Sequence, residues 1–228
     1  KSSDTFFYRE DLNKAYARTY LGVMPQSNLS STVGAYYTAA AILEAVDYVR
    51  NKKLSGNKGD IDFLWTLLCY CNSKRELGLI NKAASDEIPA RMRVFRDFFI
   101  NDYLEQERDI SSSKLEISAD AINNVMEARD QLSTAGKHSL VPCTNMISVG
   151  IDIDRLGLMM VYGQPKLTSE YIQATSRVGR NPDKFGSGLI ITYFSPSKPR
   201  DRSHYEQFKQ YHSTFNKFIE PTSITPDR

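Results

Sequence analysis

Apolar positions along this chain follow two rhythms. From Gly34 to Arg50, Tyr36, Ala39, Ala40, Leu43 and Val46 recur at spacings of three and four, which predicts a helix with one buried face. Ile61 to Cys71 is a nearly unbroken apolar run, the pattern of a strand covered on both sides. At Ser73 the rhythm changes back, because Ser73 and Glu76 have the spacing of a capping box that opens a helix. Ile88, Met92, Phe95, Phe99 and Tyr103 stripe the next helix, and Pro89 suits its first turn. Lys114 to Ser118 predicts a brief strand, and Ile122, Val125, Met126 and Leu132 a helix after it. Ser139 to Pro142 and Leu158 to Tyr162 read as strands, with a turn and a short helical segment between them. Tyr171, Ala174 and Val178 then share one side of a helix at about 100° per residue, with Thr168 as its expected N-cap. A turn over 181–188 leads to a strand from Leu189 to Phe194 and a loop from Pro196 to Arg202. Ser203 and Glu206 form a second capping box, opening a final helix striped by Tyr205, Phe208, Tyr211, His212, Phe215 and Ile219.

Residues 1–33 show no clear periodicity and read as a connector from a preceding domain. No repeat at solenoid spacing occurs. Buried strands separated by helices predict an α/β fold: a doubly wound, mainly parallel sheet with helices on both faces. Ligands of such sheets meet the carboxyl edge of the strands.

Composition narrows this picture without changing it. A chain of 228 residues that is 41% hydrophobic and 25% charged suits one large α/β domain. Its net charge of +2 means that affinity for nucleic acid would need a local patch. No apolar run is long enough to span a membrane, and no signal-peptide pattern opens the chain. Three cysteines argue against a disulfide scaffold and for a reducing, cytoplasmic setting. A chain that starts at Lys1 and ends in a polar tail suggests a piece of something longer.

The candidate chemistry lies between Cys143 and Arg180. Gln173, Ser176, Arg177 and Arg180 crowd the side of the predicted helix opposite its apolar stripe. Guanidinium groups are permanently charged forks that bind oxyanions bidentately, so this spacing makes a claw for phosphate oxygens. A solvated basic face is the plainer reading of any such arginine pair. Two other stretches imitate nucleotide motifs. Asp86-Glu87 follows no apolar strand and reads as a helix start. Gly136-Lys137-His138 lacks the first glycine and the hydroxyl of a Walker A loop. No metal site is expected: His204 and His212 stand about 12 Å apart on one helix, and Cys69, Cys71 and Cys143 read as buried thiols. Arg91, Arg93 and Arg96 read as solvated surface.

The spelling of this stretch resembles a known family. Gln-x-x-Ser-Arg-Val-Gly-Arg, ending at Arg180, resembles motif VI of superfamily 2 helicases, and Thr-Asn-Met-Ile-Ser-Val-Gly-Ile-Asp, from Thr144 to Asp152, resembles their motif V. The resemblance implies a RecA-like C-terminal lobe over 34–228, with motif IV near 64–78, motif V at 143–152 and motif VI at 170–180. It implies that Arg180 is the arginine finger for a γ-phosphate, with Arg177 its companion and Gln173 beside them. Gly150 and Asp152 would line the nucleotide cleft, and Thr144 would hold a nucleic-acid phosphate. Asn72, Ser73 and Lys74 resemble the phosphate-contacting corner of motif IV, although Ser73 as a simple helix cap explains that corner equally well. ATP and Mg²⁺ would be bound mainly by a first RecA-like lobe of the same polypeptide, and DNA or RNA would be the track. The region is most similar to a bacterial helicase subgroup that includes the DISARM phage-defence helicases. The alternative is a non-catalytic nucleic-acid-binding or scaffold lobe with relic motifs.

Overall fold

The structure is a computed structural model that describes residues 4–5, 8–9, 17–26, 29–52, 63–99, 132–133, 138–144, 152–215 and 219. Its centre is a five-stranded sheet of Arg18–Val23 (β3), Leu67–Cys71 (β4), Leu140–Cys143 (β5), Leu158–Tyr162 (β6) and Gly188–Tyr193 (β7). The strand order is β3-β7-β6-β4-β5 and every pairing is parallel. Two short strands, Asp4–Thr5 (β1) and Tyr8–Arg9 (β2), pair antiparallel with each other. Every residue of β4 and β6 is buried, as their unbroken apolar spelling requires of inner strands. Pro142 sits in β5, at the margin of the sheet, where a missing N–H costs no ladder bond.

Alternate residues of each strand feed two cores. Leu67, Cys69, Cys71, Leu158, Met160 and Tyr162 pack against the helices Ser31–Lys52 (α1), Lys74–Ala83 (α2) and Glu87–Phe99 (α3). Leu68, Tyr70, Met159, Val161 and Ile190 face the other way, onto Tyr171, Ala174 and Val178. The first two of these belong to the helix Thr168–Thr175 (α4). Pro182–Phe185 (α5), Pro199–Glu206 (α6) and Phe208–Ser213 (α7) complete the described helices. The doubly wound parallel sheet expected from the sequence is therefore present. None of the described helices is long and apolar enough to cross a membrane.

The structure corrects several local expectations. Arg18–Val23, inside the stretch read as an aperiodic connector, is the marginal strand of the sheet. It pairs along its whole length with β7, and its half-exposed Arg, Thr and Gly positions hide the strand rhythm. The apolar run from Ile61 extends only as strand from Leu67, with Trp65 buried just before it. Thr168 is the first residue of α4, and Leu167 occupies the N-cap without a side-chain bond. The loop expected over Pro196–Arg202 becomes helical at Pro199, so Ser203 lies inside α6 and caps nothing. The single final helix is broken at Gln207 into α6 and α7. Arg96 is not simple solvated surface, because it donates two bonds, of 3.2 and 3.1 Å, to the buried Glu44 of α1. The strand expected at 114–118 and most of the helix after it lie outside the described residues, as do Gly136 and Lys137.

Candidate functional site

All five strands of the sheet run the same way, so it has one carboxyl edge and one amino edge. The predicted site residues divide between them. At the carboxyl edge, β4 ends in Asn72 and Ser73. The Ser73 hydroxyl accepts the Glu76 N–H at 3.2 Å, and the Glu76 carboxylate reaches back to the Asn72 N–H at 3.0 Å. The expected capping box is thus formed, with its return bond one residue earlier than usual. Ser73 keeps its own hydroxyl proton to donate. Asn72 donates both amide hydrogens inside the chain, to the carbonyls of Tyr162 (2.7 Å) and Gly163 (3.0 Å) at the end of β6. Its side chain therefore shapes the corner. Lys74 is exposed beside it, and the half-buried Thr144 follows β5 at the same edge.

The amino edge is reached through α4, which runs back across the sheet. The helix ends at Thr175, and Arg177 and Arg180 lie in the turn beyond it rather than on the helix as the spacing predicts. Gln173 is exposed on the last turn of the helix itself. Gly179 donates its N–H to Leu156, just before β6, at 2.8 Å. Its φ of +63° and the 2.3 Å from a notional Cβ to the Ala17 carbonyl mean that only glycine fits there. Arg18, the first residue of β3, supports this turn by donating to the carbonyls of Val178 (2.8 Å) and Ser176 (3.1 Å). The guanidinium of Arg180 bonds Ser176 O at 3.2 Å and forms an ion pair with Asp152. Asp152, Arg177 and Arg180 thus gather at the amino edge, while Ser73, Lys74 and Thr144 lie at the carboxyl edge. Gly150 lies outside the described residues.

Positive charges crowd together at the amino edge. Burial first, and the Arg180 charge second, lower the proton affinity of Arg177, while Asp152 opposes them. Burial also lowers that of Arg18, with Arg180 again contributing. Among the described residues, Asp152 is the carboxylate that acts on Arg177 and Arg180. It is well exposed, at 61% of its side-chain surface against 28% for Arg180. An ion pair this open contributes about 0–1 kcal/mol, so a more highly charged oxyanion could displace it.

Sequence reasoning missed two other polar residues that set this geometry. Arg155 is buried three residues after Asp152, donating to Leu132 O at 2.5 Å and to the Thr66 hydroxyl at 3.0 Å. It ties the segment leading into β6 to Thr66, just before β4. Asp201 is buried at 1% exposure and accepts the N–H groups of Gln164 (3.1 Å) and Ser195 (2.8 Å). A buried Arg or Asp has no periodic signature. His204 and His212 have structural partners: a ring nitrogen of His204 meets Arg200 O, and His212 Nε2 lies 3.1 Å from the Tyr171 hydroxyl. Cys69, Cys71 and Cys143 are buried free thiols, with burial holding Cys143 well above the usual thiol range.

Known proteins resemble this chain in sequence and in fold. The helicase conserved C-terminal domain family matches residues 66–182. The DISARM protein DrmA of Bacillus paralicheniformis is 37% identical over 230 residues, covering 99% of this chain and 20% of the relative. The chain thus spans about a fifth of the length of the curated relative it matches. Among solved structures, the DUF1998 helicase MrfA bound to DNA superposes with a TM-score of 0.58 at 18% identity, covering 91% of this chain and 24% of that one. The Mycobacterium smegmatis helicase Lhr bound to ssDNA and AMP-PNP gives a TM-score of 0.51 at 16% identity, covering 91% and 23%. These two likenesses establish the shared RecA-like fold.

Proposed function

This chain belongs to the helicase conserved C-terminal domain family of superfamily 2 helicases, and from that membership we propose that it is the second motor lobe of an ATP-dependent helicase or translocase. The observation that carries the proposal is the clustering of Arg18, Arg177 and Arg180 at the amino edge, with Arg180 held by the exposed Asp152. Such a donor set suits phosphate oxygens. ATP bound to a first lobe of the same polypeptide would present its γ-phosphate to Arg180, with Arg177 and Gln173 alongside. Gly150 and Asp152 would line the cleft, and that lobe would hold most of the contacts to ATP and Mg²⁺. Asp152 holds Arg180 in place until the phosphate arrives and takes the guanidinium from it. At the carboxyl edge, Ser73, Lys74 and Thr144 would grip phosphates of DNA or RNA on a corner fixed by Asn72. Hydrolysis removes the anion that draws the arginines across, and the two lobes part. The 37% identity to a DISARM protein supports placing this lobe in phage defence.

An arginine finger is worth about 10³–10⁵ in rate, or roughly 4–7 kcal/mol of barrier. In the two-lobed protein, Arg180→Ala therefore abolishes turnover while ATP still binds. Turnover near the wild-type rate in that variant refutes the finger assignment. This chain purified alone hydrolyses no ATP, and measurable turnover by it contradicts the two-lobe reading. The Arg180–Asp152 pair also favours a second reading, a non-catalytic nucleic-acid-binding lobe whose finger is held permanently by its own carboxylate. Salt-dependent binding of single strands with no effect of nucleotide would select that reading.

A further inference from the structure

The segment after β7 carries a charge cluster that no motif explains. Ser195 to Arg202 leaves the carboxyl end of β7 and contains Lys198, Arg200 and Arg202, all exposed. The buried Asp201 carboxylate accepts the N–H groups of Ser195 and Gln164, pinning the segment to the loop that follows β6. Lys198 Nζ donates to Glu76 Oε1 at 3.1 Å. Glu76 also holds the Asn72 N–H and caps onto Ser73, so the ammonium stands within one side chain of the motif IV corner. Lys166, in the loop after β6, is exposed between them. Lys166, Arg200 and Arg202 have no ion-pair partner among the described residues. The acidic groups nearby among the described residues are the buried Asp201, the half-buried Glu76, which is already engaged, Glu170, which accepts the Tyr70 hydroxyl, and Glu206 at the far end of α6.

We propose that the Ser195–Arg202 segment is a second phosphate-binding ledge, which with the motif IV corner and Thr144 makes a track for a single nucleic-acid strand across the carboxyl edge. The ledge deepens the proposed function and rests on its assignment of the nucleic-acid track. Three considerations carry it. Four neighbouring strands contribute in spatial order: β7 with Lys198, β6 with Lys166, β4 with Ser73 and Lys74, and β5 with Thr144. At ~4.8 Å between strands this row is roughly 14 Å wide, enough to touch more than one phosphate of a strand lying across it. Finally, the cations are mounted on backbone held by a buried carboxylate, so phosphate contacts form without first ordering a loop.

The test uses the two-lobed protein and fluorescent single-stranded oligo(dT) and oligo(U), titrated over a range of salt. Neutralising the ledge with K198Q, R200Q and R202Q together lowers affinity about ten- to a hundredfold at low salt. It also reduces the slope of log K against log salt by about 2, since each lost single-strand phosphate contact removes ~0.7. The two oligonucleotides show which sugar the track accepts. K74Q and T144A are the parallel controls. If they weaken binding and the ledge variant does not, the ledge is refuted and the track stands. If none of these variants weakens binding, the track assignment fails with the ledge. A loss of affinity with an unchanged salt slope refutes phosphate contact by the ledge, because a purely structural effect leaves that slope alone.

Discussion

The carboxyl and amino edges of the sheet are made by the same five strands, yet they hold their polar groups differently. At the carboxyl edge side chains lock backbone to backbone. Asn72 binds two carbonyls of the β6 exit, Glu76 binds the Asn72 N–H, and Asp201 binds two N–H groups of neighbouring loops. At the amino edge, Arg18 and Arg180 rest on carbonyls from one short turn, and Arg180 pairs with the exposed Asp152. The first arrangement makes a fixed platform; the second leaves charge available for exchange. A lobe that grips one ligand while answering the arrival and loss of another needs one edge of each kind.

Substitutions can break this division of labour. The largest effect is that of Arg180→Ala, with its expected 10³–10⁵-fold loss of turnover. If the edges are separate, salt-dependent oligonucleotide binding by this variant without nucleotide stays at the wild-type level, as fluorescence titration would show. Gly179→Ala comes next. It forces a Cβ onto backbone atoms at a left-handed φ, at a cost on the order of 3 kcal/mol, read as a lower urea midpoint.

Acid provides a third probe. Burial lowers His212 to about 4, below the ordinary value near 6.5, so the unfolded chain binds the extra proton first. The contribution of the neutral ring is whole above pH 6.5 and is lost as pH falls toward 4. Discounted for the partly exposed ring, the loss is about 2 kcal/mol, and His212→Gln flattens that part of a pH–stability curve. The smallest effect belongs to the platform. Asn72→Ala removes two hydrogen bonds, costs about 1–2 kcal/mol, and weakens oligonucleotide binding more than it slows turnover. A variant that slowed turnover first would show that the corner acts on the amino edge too.

The sequence made some of this arrangement plain and concealed the rest for physical reasons. Buried inner strands announce themselves, because β4 and β6 must be apolar on both faces, and the Ser73–Glu76 spacing located a real helix start. The marginal strand β3 carries Arg18, Thr19 and Gly22 and is half exposed, so neither rhythm marks it. The split between edges could not be read either. The spelling from Thr144 to Arg180 is continuous, and only the reversed course of α4 carries its end to the far side of the sheet. The interruption at Gln207 follows no Pro or Gly, and Phe194, Tyr205 and Phe208 pack around it. The anchoring of Asp201 depends on two loops brought together from distant parts of the chain.

One buried contact gives the separation of the edges a mechanical meaning. Tyr70, fully buried in β4, donates its hydroxyl at 2.7 Å to Glu170 in the first turn of α4. Two residues beyond Tyr70 lies the corner proposed to touch the track, and roughly 8 Å of helix separates Glu170 from the arginine turn. On the proposed function, the phenol would work as a crossbar between stroke and grip. Replacing it with Phe would leave both ends intact yet let them slip out of step, so that fuel is burned without proportionate travel.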